Sequence, residues 1–147
     1  PTILKKSHKE KRQRIVTEET SKKIQKILRK VVTDKEGTAS LADVFGYNVS
    51  GKTGTSQYYE DKNKSMNTFI SFFTSNKKKY VLLVMLHDPQ IAYDLVYNYR
   101  GSKIKGFRNE AGWNVVYAAG KIIEKIGPIL AINNNHFDSN HVVKKTN

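Results

Sequence analysis

The stretch "TFISFFTSNKKKYVLLVMLHDP" constrains the fold more than any other part of the chain. Two runs rich in β-branched and aromatic residues, 68–74 and 80–87, flank a short polar break, which is the pattern of an antiparallel hairpin. Pro89 ends the second run because proline cannot donate to a strand ladder. The second run is apolar at consecutive positions, so it is expected as an inner strand with cover on each side. At 147 residues the chain can bury one modest core around such a sheet. Its longest apolar run, residues 80–86, is far too short to cross a bilayer.

Two helices are expected to supply the cover. In "TEETSKKIQKILRKVVTDKEG", Ile24, Ile27, Leu28, Val31 and Val32 recur at i, i+3, i+4, i+7 and i+8, one stripe of an amphipathic helix. Thr17 can cap it, Glu18 and Glu19 suit its first turn, and Gly37 lies beyond its end. In "AGWNVVYAAGKIIEKIGP", Trp113, Val116, Tyr117, Gly120 and Ile123 form a second stripe, with a stop expected at Gly127-Pro128. Trp113 reads as a core anchor for that helix.

Between these elements, "YNVSGKTGT" places Tyr47, Val49, Gly51, Thr53 and Thr55 on one face at period two, as a strand does. Loops are expected over residues 56–67 and 90–110. The domain then spans residues 17–132, preceded by a basic connector over 1–16 containing "KKSHKEKRQR" and followed by a disordered tail over 133–147.

The formal net charge of +13 suits a polyanionic partner. The lysines, however, are dispersed among asparagine and isoleucine, a pattern that a biased genome composition also yields, and the basic run lacks the interleaved aromatics of a nucleic-acid platform. A basic nucleic-acid-binding module is therefore the alternative reading, and no nucleic-acid partner is expected. The chain has no cysteine, which excludes disulfides and thiolate metal sites. His87-Asp88 has no further ligand nearby in sequence, and His136 and His141 fall in the expected tail, so no metal site and no cofactor are expected.

The segment "GYNVSGKTGTSQ" fits two unrelated signatures. Gly46-x-x-x-x-Gly51-Lys52-Thr53 has the spacing of a phosphate-cradling loop, and Asp88 after an apolar run resembles a magnesium-binding strand end. Such a loop needs a helix opening at the Lys-Thr, because helix N-terminal amides supply the phosphate donors. "GTSQYYEDKNKS" has no helical stripe, and phosphate-loop folds use parallel strands rather than a hairpin. The second signature is Lys52-Thr53-Gly54, one of three motifs of penicillin-binding proteins and serine β-lactamases.

The motif strand, the hairpin after it, the closing helix, and the preceding "PTILKK" and "TEETSKKIQKILRKVV" together resemble the C-terminal part of a class B penicillin-binding protein over residues 1–132. The resemblance implies an α/β fold of the α+β type, an antiparallel sheet flanked by helices, with five strands of which this chain supplies three. It also implies a D,D-transpeptidase that joins peptidoglycan stem peptides ending in D-Ala-D-Ala and is acylated by β-lactams. Lys52 would place positive charge beside the substrate carboxylate, Thr53 and Thr55 would hold that carboxylate, and the Thr55 N–H would serve the oxyanion hole. Gly54 would leave room for substrate along the strand, and Gln57 would line the cleft.

In that family the nucleophile is the serine of Ser-x-x-Lys, well before Lys-Thr-Gly, and none precedes Lys52 here. Formal matches at Ser75/Lys78 and Ser102/Lys105, and a Ser-x-Asn match at Ser65-Met66-Asn67, follow the motif and read as coincidence. The chain alone is therefore expected to be inert, with the nucleophile helix and two strands supplied from upstream and apolar surface exposed on residues 80–87. The resemblance further implies division or elongation proteins as partners. It also implies a place on the periplasmic face of the bacterial inner membrane, held by an anchor before Pro1.

Overall fold

The computed structural model describes residues 13–106 and 108–142. The element order is α1 (Glu18–Thr33), a short 3-10 turn (Ser40–Ala42), β1 (Ser50–Gln57), β2 (Ser65–Ser75), β3 (Lys78–His87), β4 (Val96–Tyr99), β5 (Ser102–Lys105) and α2 (Val115–Val142). Strands β1, β2 and β3 form an antiparallel sheet in that spatial order, and β4 and β5 form a separate hairpin. Mixed α/β architecture with antiparallel strands and flanking helices is thus present as expected.

The α1 start follows local chemistry. Thr17 Oγ1 accepts from the Thr20 N–H at 3.1 Å, satisfying one of the first-turn donors that lack intrahelical partners. The helix ends at Thr33, with Asp34 as its C-cap, so Gly37 lies beyond its end as expected. Its C-terminal half is docked. Val32 is buried in the core, and Arg29 donates to the Val49 carbonyl at 2.5 Å and pairs with Asp43 at 2.8 Å. Ile24 and Ile27, from the same stripe, remain exposed.

The central hairpin closes on Asn76 and Lys77, both with left-handed backbone (φ 46° and 63°), as a two-residue turn between right-twisted strands requires. Alternation along β2 divides the sheet. Asn67, Phe69, Ser71, Phe73 and Ser75 are all buried on the face that α2 covers. Val115, Val116, Ala119 and Ile123 of α2 join Phe69 and Phe73 in the core. Cross-strand register puts Val81, Leu83 and Met85 beside Phe72, Ile70 and Thr68 on the other face. There they remain 75%, 53% and 53% exposed.

Strand β3 is therefore an edge strand covered on one face, not the inner strand that its double apolar character implies. The character is as read, but the neighbour that would make it inner is not among the described residues.

Three further expectations are corrected. Strand β1 reaches Gln57 and β2 begins at Ser65, so the loop of 56–67 shrinks to residues 58–64. The loop of 90–110 contains β4 and β5, joined through Arg100 (φ 52°) and Gly101 (φ 81°), a tight turn of the same two-residue kind. Finally, α2 passes through Gly127-Pro128 to Val142 and so enters the segment expected as a disordered tail. Gly127 is a packing gap rather than a stop, since a Cβ there would lie 2.3 Å from the Tyr47 ring. The hairpin also satisfies helix carbonyls on either side of Pro128. Ser75 Oγ donates to the Gly127 carbonyl at 2.9 Å and Asn76 Nδ2 to the Ala131 carbonyl at 3.3 Å. His136 and His141 fall on this last part of α2. Residues 1–12 of the expected connector lie outside the described residues.

Candidate functional site

Strand β1 is an edge of the sheet, so Lys52, Thr53, Gly54, Thr55 and Gln57 sit on a strand open to solvent along one side. Lys52 and Thr53 lie inside a strand and open no helix, which removes the geometry a phosphate loop needs. The turn before β1, with Gly46 at φ 88° and Asn48 at φ 49°, is a strand entry.

Register divides the motif between the two faces. Thr53, Thr55 and Gln57 stand opposite Phe69, Asn67 and Ser65 on the side of α2, whereas Lys52 and Gly54 stand opposite Ile70 and Thr68 on the open face. Lysine and threonines can therefore serve one ligand only around the free edge of β1. Lys52 Nζ already leans along the strand, donating to the Thr53 carbonyl at 2.7 Å. A Cβ at Gly54 would come within 2.6 Å of Thr68 Oγ1, so the adjoining strand also requires a small residue there.

The threonine side opens on a cleft of about 270 Å³, whose lining includes Thr38, Thr53, Thr55, Arg108, Glu110 and Trp113. Thr38 and Thr53 share a hydrogen bond between hydroxyls at 3.0 Å, and three threonines, Arg108 and the acidic Glu110 line the same space. Hydroxyls and a guanidinium are donors suited to a carboxylate. The far wall was not legible in the sequence, because residues 108–113 are over fifty positions away and meet β1 only through the fold.

Trp113 is also corrected by this geometry. It lies before α2 begins, half-buried, with ring contacts to Tyr97 and Tyr99 at 5.5 and 5.2 Å and the Arg108 guanidinium 5.5 Å above it. It therefore pins the β4–β5 hairpin and walls the cleft instead of anchoring the core. Burial, with Tyr117 beside it, pushes the Tyr97 phenol above its ordinary pKa.

The formal nucleophile matches are not brought to the cleft. Ser75 is buried at the opposite end of β2, about 27 Å along the strand from the residue facing Thr55. Ser102 and Lys105 lie exposed on β5. Of Ser65-Met66-Asn67, Ser65 stands opposite Gln57 at the end of the strand and Asn67 opposite Thr55, where it is fully buried. His87 lies against Tyr58 at 4.9 Å with the rings tilted by 54°, and among the described residues no three His, Asp or Glu side chains cluster as metal ligands do.

This edge strand, its hairpin and its covering helix define a serine-transpeptidase type of fold. The family model described as "Penicillin binding protein transpeptidase domain" matches residues 1–106. The chain is 30% identical over 130 residues, 81% of its length, to "Probable peptidoglycan D,D-transpeptidase FtsI" of Caulobacter vibrioides, of which it covers 20%. It is 39% identical over 93 residues, 60% of its length, to "Stage V sporulation protein D" of Bacillus subtilis, of which it covers 14%. In structure it resembles the transpeptidase domain of FtsI4 D,D-transpeptidase from Legionella pneumophila. That match has a TM-score of 0.51 and 24% identity, over 74% of this chain and 36% of that one.

The chain belongs to the penicillin-binding protein transpeptidase domain family, in its class B branch. It spans about a fifth or less of the length of these curated relatives.

Proposed function

We propose that this chain forms the Lys-Thr-Gly wall of a peptidoglycan D,D-transpeptidase site. The observation that carries this is the placement of Thr53 and Thr55 on a solvent-open edge strand, facing a cleft that also holds Thr38 and Arg108. In this reading Thr53 and Thr55 hold the terminal carboxylate of a stem peptide ending in D-Ala-D-Ala. Lys52 adds positive charge around the strand edge, and Gln57 extends the same face. The Thr55 N–H serves the oxyanion hole, a role worth about 3 kcal/mol where single donors have been removed from acyl-transfer sites.

The serine and its lysine base come from a segment that also packs on the open face of β3, so acyl transfer requires that segment. Residues 17–132 are the transpeptidase portion in this reading, β-lactams are its inhibitors, and cell-wall division or elongation proteins at the periplasmic membrane face are its partners.

The test uses the chain itself and the native polypeptide. With this chain alone, titration of a D-Ala-D-Ala-terminated tripeptide is expected to move the amide resonances of residues 53–57 and leave those of β5 unmoved, while penicillin adds no mass. In source cells, the polypeptide carrying this sequence is expected to gain one drug mass. A native polypeptide that stays unmodified, together with a silent titration, removes the reading.

A further inference from the structure

The far wall of the cleft is held by an asparagine cluster that the roles above do not use. Asn67 is fully buried on β2 directly behind Thr55, and its Nδ2 donates to the Asn109 carbonyl at 2.5 Å. The same carbonyl accepts from Asn114 Nδ2 at 3.0 Å, and Asn114 Nδ2 also reaches Asn109 Oδ1 at 3.1 Å. Asn114 Oδ1 in turn accepts from the Val115 N–H, the first residue of α2, at 2.6 Å. Asn109 Nδ2 donates to the Pro89 carbonyl just past β3. Three separate parts of the chain thus converge on Asn109, which stands between the two charged wall residues, Arg108 and Glu110.

We infer that Asn67 is a positioning residue that couples the Thr55 strand to the Arg108–Trp113 wall, setting the width of the cleft. Among the described residues between β5 and α2 there is no strand ladder, so side-chain amides take the place of one. Asn67 is suited to this work because it reaches the Asn109 carbonyl from a face otherwise filled by Phe69, Ser71 and Phe73. Its Oδ1 is buried and finds no partner among the described residues, so the amide is held there by its donor side alone. An amide kept at a fully buried position for one donated bond fits a coupling role better than a packing role, which alanine or leucine would fill. The inference rests on the transpeptidase reading only for what the cleft binds, not for how its wall is held.

The chain contains one tryptophan, Trp113, so its emission reports the wall directly. Asn67→Asp replaces the donor with an acceptor against the Asn109 carbonyl. At neutral pH this is expected to shift Trp113 emission to the red and to raise its iodide quenching severalfold, with the far-ultraviolet dichroism and cooperative melt retained. On acidification the introduced carboxyl becomes protonated, regains a donor, and should return Trp113 to the wild-type signal.

The neighbours of Asn67 across the sheet and in the cluster, Thr55, Leu86, Asn109 and Asn114, are uncharged. His87, Arg108 and Glu110 are present in both proteins and are subtracted by the wild-type titration. Asn67→Leu, which keeps volume without a donor, is expected to show the red shift with no recovery in acid. Unchanged Trp113 emission in both folded variants, or recovery in neither, overturns the coupling. If both variants unfold, Asn67→Ser, which keeps a small polar side chain on β2 but is too short to reach the Asn109 carbonyl, is expected to raise Trp113 quenching, and no rise would overturn the coupling equally. Failure of the wild-type chain to respond to a D-Ala-D-Ala peptide would remove the proposed ligand, and the same emission data would still decide the coupling.

Discussion

The two faces of the three-stranded sheet use the same backbone and similar side chains, yet only one is a core. Phe69 and Phe73 are closed under α2, whereas Ile70, Val81, Leu83 and Met85 remain half or more open to solvent. Burial, and not hydrophobicity, separates them, because apolar area stabilises in proportion to what leaves water. Stability is therefore expected to concentrate on the covered face and uncovered apolar surface on the open one.

The widest expected separation comes from truncations on the two faces. Phe69→Ala or Phe73→Ala should cost about 3–5 kcal/mol, whereas Leu83→Ala on the same sheet should stay within about 0.5 kcal/mol. Denaturant midpoints decide it, and a large loss at Leu83 would mean that the open face is covered in solution.

Gly127→Ala tests the covered face from the helix side. Helix propensity favours alanine by about 1 kcal/mol. Here the added methyl meets the Tyr47 ring at 2.3 Å, and Tyr47 packs edge-on against Phe73. A net loss of about 1–3 kcal/mol is expected, and a gain in thermal midpoint would show that Tyr47 moves aside freely.

On the open face, the triple change Val81→Ser, Leu83→Ser and Met85→Ser should lower binding of an environment-sensitive dye severalfold, with a melting midpoint little changed. A dye-silent, monodisperse wild-type chain would refute the exposed-face picture at once.

The smallest effect is an alkaline slope at the hairpin. Tyr97 has its folded pKa raised by burial and by Tyr117, so its stabilisation is complete below the unfolded phenol value and is lost as pH rises through the raised folded value. Tyr97→Phe should therefore flatten the fall in stability above about pH 10, measured as denaturant midpoints across that range. An unchanged slope would assign it to other groups, among them Lys121, whose pKa the hydrogen bond to Glu124 raises.

Where the signal was local, it was legible. The Thr17 cap, the β2–β3 hairpin and the period-two face of β1 all depend on contacts within a few residues. The β4–β5 hairpin had a local signal too, Arg100-Gly101 between Tyr97, Tyr99 and Ile104, but its four-residue strands are too short for the alternation to stand out. Gly127-Pro128 misled because the pair has the composition of a helix stop, while its actual role is set by Tyr47 and Ser75 from other elements.

By itself, the sequence determined α1, the three strands of the main sheet, a C-terminal helix, the shared face of the motif threonines and the family that the Lys-Thr-Gly strand points to, because propensity, capping and alternation are properties of neighbouring residues. Only the tertiary structure decided that the threonine face is the one turned towards α2, that Arg108 and Trp113 wall the cleft, and that Asn67 stands behind Thr55. Those placements depend on register and on contacts tens of residues apart, where the free energy of closing the chain is repaid only once the whole sheet and α2 have assembled.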